Sequence, residues 1–330
     1  MRAAILESAG TIVVRDVPLP EPGPGQVRLR VTFCGICGSD LTVFKTGALS
    51  GTDVVMGHEI SAVVDLDPEG QWAPGTRVTP FPARGCGKCM WCLDGHPRYC
   101  VNPPYGEWGG FADYAVYPSA GLIPIPEAID DRGAALAEPL GVALRAVGLA
   151  SPKAGDLAFV SGLGPIGLLA VTGLVRAGCR VVGADPREDR RALGLELGCL
   201  RVLDPKVEDP LPSLLSLDQH GPRIAFESAG VPESLQQVVD LCGHQGTIGV
   251  LGVPMGPVSL LRMFVREQRA FSLSGPSMES MRDALAVLQE RPEVAKVITG
   301  VVPLEETPEA FRRLASGDGG VKVLVGPDLA

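Results

Sequence analysis

The pattern of apolar and polar residues divides the chain into two parts of different character. In the first 80 residues the apolar stretches are short and separated by turn residues, and Val27-Arg28-Leu29-Arg30-Val31 alternates as a half-buried strand does. Residues 18–25 are rich in proline and glycine, which excludes regular structure there. The pattern predicts a β-rich barrel or sandwich with strands at 11–17, 26–33, 60–67 and 77–79.

Beyond residue 130, apolar β-type runs alternate with helical segments. An Ala/Leu-rich stretch at 134–149 predicts a helix, and Pro152 then opens a new segment. Alternation of this kind predicts a parallel sheet with helices on both faces, so we expect an α/β protein with two domains. The predicted strands are 157–161, 180–184, 224–227, 247–252, 297–302 and 321–325, and the predicted helices are 168–177, 190–197, 232–242 and 281–291.

Length and composition agree with two globular domains. The 330 residues are 45% hydrophobic and 20% charged, which favours packed cores over extended disorder. The net charge of −9 gives no electrostatic case for nucleic acid as a partner. The sequence shows no signal peptide and no apolar run near the ~20 residues that span a bilayer. We therefore expect a cytoplasmic protein without a membrane partner, in which thiols stay reduced.

Four of the nine cysteines fall close together, with the spacing Cys-x2-Cys-x2-Cys-x7-Cys. Four thiolates at tetrahedral corners close the coordination shell of zinc and exclude water, so such a site is structural. Neighbouring glycines and a proline favour a folded loop over a helix or strand. Disulfides and coincidence are the alternatives, but the spacing favours zinc. The predicted ligands, in a cysteine lobe at 84–101, are Cys86, Cys89, Cys92 and Cys100.

A glycine-rich turn joins the predicted strand 157–161 to a helix. It reads Gly-x-Gly-x-x-Gly. The first glycine makes the turn, the second lets a pyrophosphate approach the backbone, and the third lets helix and strand pack closely, while the helix N-terminus supplies N–H groups. The predicted dinucleotide-binding residues of this turn are Gly162, Gly164, Pro165, Ile166 and Gly167.

Asp185 ends the next predicted strand, eighteen residues after Gly167. A carboxylate at this place accepts hydrogen bonds from ribose hydroxyls and repels a 2′-phosphate, which favours NAD over NADP. An ordinary turn aspartate before Pro186 is the alternative interpretation. Arg187 and Arg190 keep NADP open, because arginine pairs with phosphate.

Two further glycine-flanked segments, Gly35-Ile36-Cys37-Gly38-Ser39-Asp40 and Gly57-His58-Glu59, each contain a possible metal ligand. With the cysteine lobe and the nucleotide motif, in this order, they resemble the zinc-dependent medium-chain alcohol dehydrogenase family over essentially the whole chain. The likeness extends to Ala137-Glu138-Pro139-Leu140 and to Glu227-Ser228-Ala229-Gly230. Zinc-independent quinone reductases lack both the cysteine lobe and the catalytic cysteine, so they are excluded.

The resemblance implies an enzyme with two zinc ions per chain. It implies a GroES-like catalytic domain at 1–148 and 296–330, a Rossmann domain at 149–295, and a homodimer or homotetramer. The residues implied at the catalytic zinc are Cys37, His58 and Glu138 as ligands, Glu59 as a carboxylate that in some relatives replaces the bound water, and Ser39 as the hydroxyl that receives the alcohol proton.

Within the family, Ala137-Glu138-Pro139 is similar to the polyol and sugar branch, and segment 39–45 resembles cyclitol dehydrogenases. The resemblance implies hydride transfer between a secondary alcohol of a polyol, sugar or cyclitol and NAD, with the substrate bound to zinc as its alkoxide. A dehydrogenase of L-threonine or of another simple secondary alcohol is the alternative, although the usual histidine of L-threonine dehydrogenase is Thr42 here. A non-catalytic NAD-binding relative is a third hypothesis, which loss of a zinc ligand would indicate, and no ligand is lost.

Two features leave questions open at the catalytic zinc. Many relatives carry a proton relay through a histidine at the place of Thr42, so we expect Ser39, ribose hydroxyls and water to carry the proton here. Cys34 and Cys37 also form a Cys-x2-Cys pair, and a redox role for them is an open alternative.

Overall fold

The computed structural model describes residues 1–47, 53–83, 85–94, 96–102 and 109–326. Arg84 and Gly95 of the predicted cysteine lobe lie outside the described residues. The chain divides into two compact units, the first formed by Met1–Glu138 with Ala284–Ala330 and the second by Pro139–Asp283. The domain boundaries inferred from the sequence stay a prediction.

The strands of the described residues form three sheets. In chain order they are β1 (Arg2–Ser8), β2 (Thr11–Asp16), β3 (Gln26–Gly35), β4 (Val54–Val55), β5 (Glu59–Leu66), β6 (Arg77–Pro80), β7 (Tyr114–Pro118), β8 (Leu122–Pro124), β9 (Leu157–Ser161), β10 (Arg180–Ala184), β11 (Arg201–Leu203), β12 (Ile224–Glu227), β13 (Thr247–Val250), β14 (Arg269–Ser272), β15 (Ile298–Pro303) and β16 (Lys322–Gly326).

The helices lie mostly in the second unit. They are α1 (Gly38–Thr46), α2 (Met90–Leu93), α3 (Asp131–Ala134), α4 (Ala137–Ala150), α5 (Pro165–Arg176), α6 (Glu188–Glu196), α7 (Pro210–Leu217), α8 (Pro232–Leu241), α9 (Leu261–Arg266), α10 (Met278–Glu290) and α11 (Thr307–Ser316). Within the described ranges, no helix has the length and apolar character needed to cross a membrane.

The first unit is built around β3, the longest strand of its larger sheet. That sheet has the order β15-β16-β3-β5-β6-β8, with β7 also paired to β3, and a smaller sheet has the order β2-β1-β4. Aromatic rings fill the core, where Phe311 lies 5.4 Å from Phe44 and 5.6 Å from Phe111 between ring centroids. The predicted β-rich part is confirmed.

The second unit contains a six-stranded parallel sheet with the order β11-β10-β9-β12-β13-β14. Its central strands are buried along their whole length, which is why they appear in the sequence as continuous apolar runs and not as alternating ones. The order reverses between β9 and β12, as in doubly wound folds that bind dinucleotides at this point. The predicted Rossmann domain is confirmed.

Candidate active site

The pairing of β3 with β5 brings two of the predicted zinc ligands together. The two strands are antiparallel with Gly35 opposite Glu59, so the carboxyl end of β3 lies beside the amino end of β5. Cys37 follows β3 as the N-cap of α1, and His58 immediately precedes β5. One ligand atom from each of Cys37, His58 and Glu59 lies within 4.8 Å of the other two. A thiol, an imidazole and a carboxylate at this spacing form a donor set that fits zinc.

Asp40 is a residue of this site that the sequence analysis did not identify. Its side chain is fully buried, Oδ2 accepts the Cys37 N–H at 2.9 Å, and Oδ1 lies 3.5 Å from His58 Nδ1. Burial by itself lowers the pKa of His58, but Asp40 and Cys37 outweigh it, and the pKa lies well above its usual range. A carboxylate beside Nδ1 of a metal-binding histidine fixes the orientation of its ring.

We expect Asp40→Asn to weaken zinc binding at this site by about 10–100-fold, because the carboxylate that orients His58 is lost. A competitive titration with a chromophoric chelator measures this affinity. Asp318→Asn, on the exposed surface of the same unit, is the matched control and should leave the affinity unchanged. Equal affinities for the Asp40 variant and the control would show that Asp40 does not orient the ligand.

Glu59 is held by Lys322, a second residue that the sequence analysis did not identify. Lys322 lies on β16 with 2% of its surface exposed, and its Nζ donates to both Glu59 oxygens at 2.6 and 2.7 Å and to the Ile36 carbonyl at 3.0 Å. Glu59 is fully buried. Glu59 is therefore one partner of a buried ion pair as well as a neighbour of Cys37 and His58.

Glu138, the third predicted ligand, lies in the first turn of α4 and is 5% exposed. Burial raises its pKa to about 7, although the charge of His58 acts in the opposite direction. A carboxyl group that titrates near neutrality is readily ionised by a nearby cation. Glu138 does not belong to the group formed by Cys37, His58 and Glu59, so its role as a metal ligand stays a prediction.

Two hydroxyls of α1 bear on the proton relay, that of Ser39 as the predicted acceptor and that of Thr42 at the place of the usual histidine. Ser39 is exposed in the first turn of the helix. Thr42 is also exposed, and its Oγ1 donates to the Gly38 carbonyl at 3.1 Å. The Thr42 hydroxyl therefore donates its hydrogen bond within its own helix, whereas Ser39 stays a predicted proton acceptor.

The structure brings the four cysteines of the lobe together, with ligand atoms within 4.8 Å of one another. Cys89 Sγ lies 3.5 Å from Cys92 Sγ and 3.9 Å from Cys100 Sγ, and all four are free thiols. Zinc–sulfur bonds of about 2.3 Å put the sulfurs of a tetrahedron about 3.8 Å apart. Backbone N–H groups of Cys92 and Val101 lower the pKa of Cys89 to about 6. The cluster therefore fits a structural zinc site.

In the second unit, the glycine-rich turn lies between β9 and α5. Gly162 has a φ of +91°, which favours glycine, and a Cβ on Gly167 would overlap the Gly162 carbonyl. Gly164 is the N-cap of α5 and Pro165 is its first residue, with Ile166 next to it. The first N–H groups of a helix have no partner within it, so those of α5 can donate to a pyrophosphate.

Asp185 lies at the end of β10 and braces this turn. Its Oδ2 accepts the Leu163 N–H at 2.9 Å, its Oδ1 accepts the Arg187 N–H at 2.9 Å, and Arg190 lies 3.4 Å from Oδ2. Arg190 Nε is buried without a hydrogen-bond partner among the described residues. A buried N–H without a partner beside the glycine-rich turn is suited to donate a hydrogen bond to an acceptor on a bound nucleotide.

Comparison with known proteins gives matches over both units. The family described as "Alcohol dehydrogenase GroES-like domain" matches residues 23–127, and the family "Zinc-binding dehydrogenase" matches residues 165–290. A sorbitol dehydrogenase of Halalkalibacterium halodurans is 30% identical over 99% of each chain. An L-threonine 3-dehydrogenase of Streptomyces avermitilis is 32% identical over 98% of this chain and 99% of its own. A putative zinc-binding dehydrogenase of Sinorhizobium meliloti bound to NADP is 32% identical, with a TM-score of 0.89 over 99% of both chains.

Proposed function

Because this chain belongs to the zinc-binding dehydrogenases with an alcohol dehydrogenase GroES-like domain, we propose that it oxidises a secondary alcohol of a polyol, sugar or cyclitol with NAD. The observation that carries the proposal is the cluster of Cys37, His58 and Glu59 at the junction of β3 and β5. Bound zinc supplies a Lewis acid that makes the alcohol proton easier to lose, and bound NAD supplies the hydride acceptor.

In this proposal, residues of the first unit hold the metal and orient its ligands. Cys37, His58 and Glu138 hold the metal, and one thiolate with one carboxylate balances its double charge with a harder donor set than two thiolates. Asp40 keeps His58 in its binding orientation. Lys322 neutralises Glu59 beside these ligands, and Ser39 receives the alcohol proton.

The substrate class rests on Glu138 in the Ala137-Glu138-Pro139 stretch and on the likeness to a sorbitol dehydrogenase along the whole chain. The likeness to an L-threonine 3-dehydrogenase makes L-threonine the competing substrate. Against it stands Thr42, whose hydroxyl is bonded to its own helix and replaces the histidine expected of that enzyme. The polyol class is therefore the better supported one.

The cofactor preference rests on Asp185, at the place where ribose hydroxyls are bound. Its carboxylate is buried and braces the glycine-rich turn, so a bulky anion beside it is disfavoured. Arg190 lies against the same carboxylate, which favours some acceptance of NADP. We propose NAD as the preferred cofactor and NADP as a weaker one.

A homo-oligomer is part of the proposal and is supported by an apolar surface on the second unit. β14 ends its sheet with an open edge among the described residues, and an open edge is a ready pairing surface. The segment that precedes β14 in the chain carries a group of exposed large apolar side chains, with Phe264 at 85%. The members of this group are Val253, Met255, Leu260, Leu261, Phe264 and Val265. Light scattering tests it, and the mass of a single chain would contradict it.

A cytoplasmic location is likewise proposed, on the chemistry of the cysteines. All nine are free thiols, and the cysteine cluster of the lobe would be oxidised in a disulfide-forming compartment. Fractionation of cells that express the protein tests the location, and recovery from an oxidising compartment would contradict it.

The substrate proposal is tested by assaying zinc-loaded protein against cyclitols, sugar alcohols, L-threonine and simple alcohols, with NAD and NADP in parallel. We expect a cyclic or polyhydroxylated alcohol with NAD to give the highest kcat/KM. L-Threonine or a simple alcohol as best substrate would contradict the substrate class, and a preference for NADP would contradict the role of Asp185.

A further inference from the structure

Glu227 ends β12 as a fully buried carboxylate that the proposed chemistry does not use. Its Oε1 accepts the N–H groups of Ala229 and Gly230, both at 2.8 Å. Its Oε2 is buried without a hydrogen-bond partner among the described residues, and no ion pair with Glu227 occurs there. A buried carboxylate oxygen without a hydrogen-bond partner costs folding free energy, so its presence calls for a specific explanation.

The turn that Glu227 fixes packs on the nucleotide-binding turn. β12 lies beside β9 with Glu227 opposite Ser161, and Ser228 continues the pairing by donating its N–H to the Ser161 carbonyl at 2.8 Å. Ser228 Oγ donates to the Gly162 carbonyl at 2.6 Å. A Cβ on Gly162 would come within 2.6 Å of the Ala229 nitrogen. The turn at 228–230 therefore supports the first glycine of the dinucleotide site directly.

Glu227 lies on the far side of the point where the strand order reverses. Asp185 marks the side of β9 and β10, which takes the adenosine half of a dinucleotide, so the side of β12 and β13 takes the nicotinamide half. The bare Oε2 faces Gly252, just after β13, where a Cβ would come within 2.6 Å of it. A buried negative charge thus lies at the carboxyl ends of the strands on the nicotinamide side.

The following inference rests on the proposed use of a nicotinamide cofactor. We propose that Glu227 is a positioning residue that sets the nucleotide-binding turn, and that its buried charge favours binding of the oxidised over the reduced cofactor. The oxidised nicotinamide ring is a cation and the reduced ring is neutral, so an adjacent buried negative charge stabilises only the oxidised form. Tighter binding of NAD than of NADH shifts the bound equilibrium toward the oxidised cofactor. Weak binding of NADH also speeds its release after the reaction. Glu227 therefore suits the protein to alcohol oxidation.

The test compares dissociation constants of NAD and NADH, measured by calorimetry and by NADH fluorescence. Glu227→Gln keeps an acceptor for Ala229 and Gly230 but removes the charge, so we expect the ratio of the NAD constant to the NADH constant to rise about five- to tenfold. Ser228→Ala keeps the charge and removes the link to Gly162, so we expect both constants to rise together with an unchanged ratio. An unchanged ratio in the Gln variant would overturn the proposal.

Three further variants close the test. Glu233→Gln removes an exposed charge from the first turn of α8 and should change neither constant. Glu227→Asp keeps the charge and should keep the ratio of the two dissociation constants. If the Gln variant does not fold, Glu227→Met also removes the charge and should show the rise in the ratio that is expected of the Gln variant. If both neutral variants fail to fold while the Asp variant folds, the charge serves the fold and the proposal is overturned. Wild-type protein that binds neither nucleotide would overturn the proposed function itself.

Discussion

Replacing Cys37 with serine should lower kcat by about 10³-fold or more, because a metal ligand supports several kcal/mol of transition-state stabilisation. The zinc content should fall from two ions to one per chain, since the cysteine lobe is untouched. NAD binding should be unchanged, because the glycine-rich turn belongs to the second unit. Steady-state kinetics, elemental analysis and calorimetry with NAD measure these three quantities on the same preparation.

Cys34→Ala is the matched control for this prediction. Cys34 is a buried thiol of β3, three residues before Cys37, and no metal role is assigned to it. The control should keep two zinc ions and activity within a few-fold of the wild type. Equal losses in both variants would favour the alternative that Cys34 and Cys37 act as a redox pair, and full activity of the Cys37 variant would refute the assigned ligand.

Replacing Lys322 with methionine should lower the free energy of unfolding by about 3–5 kcal/mol, because removing one partner of a buried ion pair leaves an uncompensated charge. Lys322 and Glu59 form such a buried pair, since Lys322 is 2% exposed and Glu59 is fully buried. Urea denaturation followed by tryptophan fluorescence gives the change. The double variant Lys322→Met/Glu59→Gln should recover most of the lost free energy of unfolding, because burying a neutral amide costs less free energy than burying an unpaired carboxylate.

Lys45→Met is the control for the stability measurement. Lys45 is an exposed residue of α1 in the same unit, so its replacement should change the free energy of unfolding by no more than about 0.5 kcal/mol. A loss below about 1 kcal/mol for Lys322→Met would show that the pair is screened as surface pairs are. A double variant no more stable than Lys322→Met would show that Glu59 is not the source of the loss.

The nucleotide-binding fold was predictable because its signals are local. Strand β9, the glycine-rich turn and α5 are contiguous in the chain, and Asp185 follows at the end of the next strand. The strands Leu157–Ser161, Arg180–Ala184 and Ile224–Glu227 lie where the apolar runs predicted them. The cysteine lobe was predictable for the same reason, since its four thiols are close in sequence. Their roles as ligands stay a prediction.

Elements that depend on distant partners were not predicted. β1 carries a run of four buried residues, Ala3–Leu6 in the sequence, without the alternation that marks a half-buried strand. α1 begins in Gly38 and Ser39, which are typical of turns, and its position depends on the core that Phe44 joins. Both elements form because the first unit packs around them, and a local pattern does not contain that information.

Lys322 was missed for the same physical reason, whereas Asp40 was missed although its signal is local. Lys322 is 263 positions from Glu59, and only the pairing of β16 with β3 brings them together. A lysine inside the apolar run at 321–325 was the available signal, because a buried strand seldom carries an unpaired charge. Asp40 had a signal too, since an acid three residues after Cys37 suits a capping position at the start of α1.

Zinc-dependent hydride transfer from an alcohol carbon to NAD is the reaction that we propose for this protein. The most direct measurement uses the best alcohol of the substrate panel, deuterated at its carbinol carbons, with wild-type protein and with Cys37→Ser. We expect deuterium at C4 of the reduced nicotinamide from the wild type and no labelled NADH from the variant. Label released to solvent, or equal labelling by both proteins, would contradict the account.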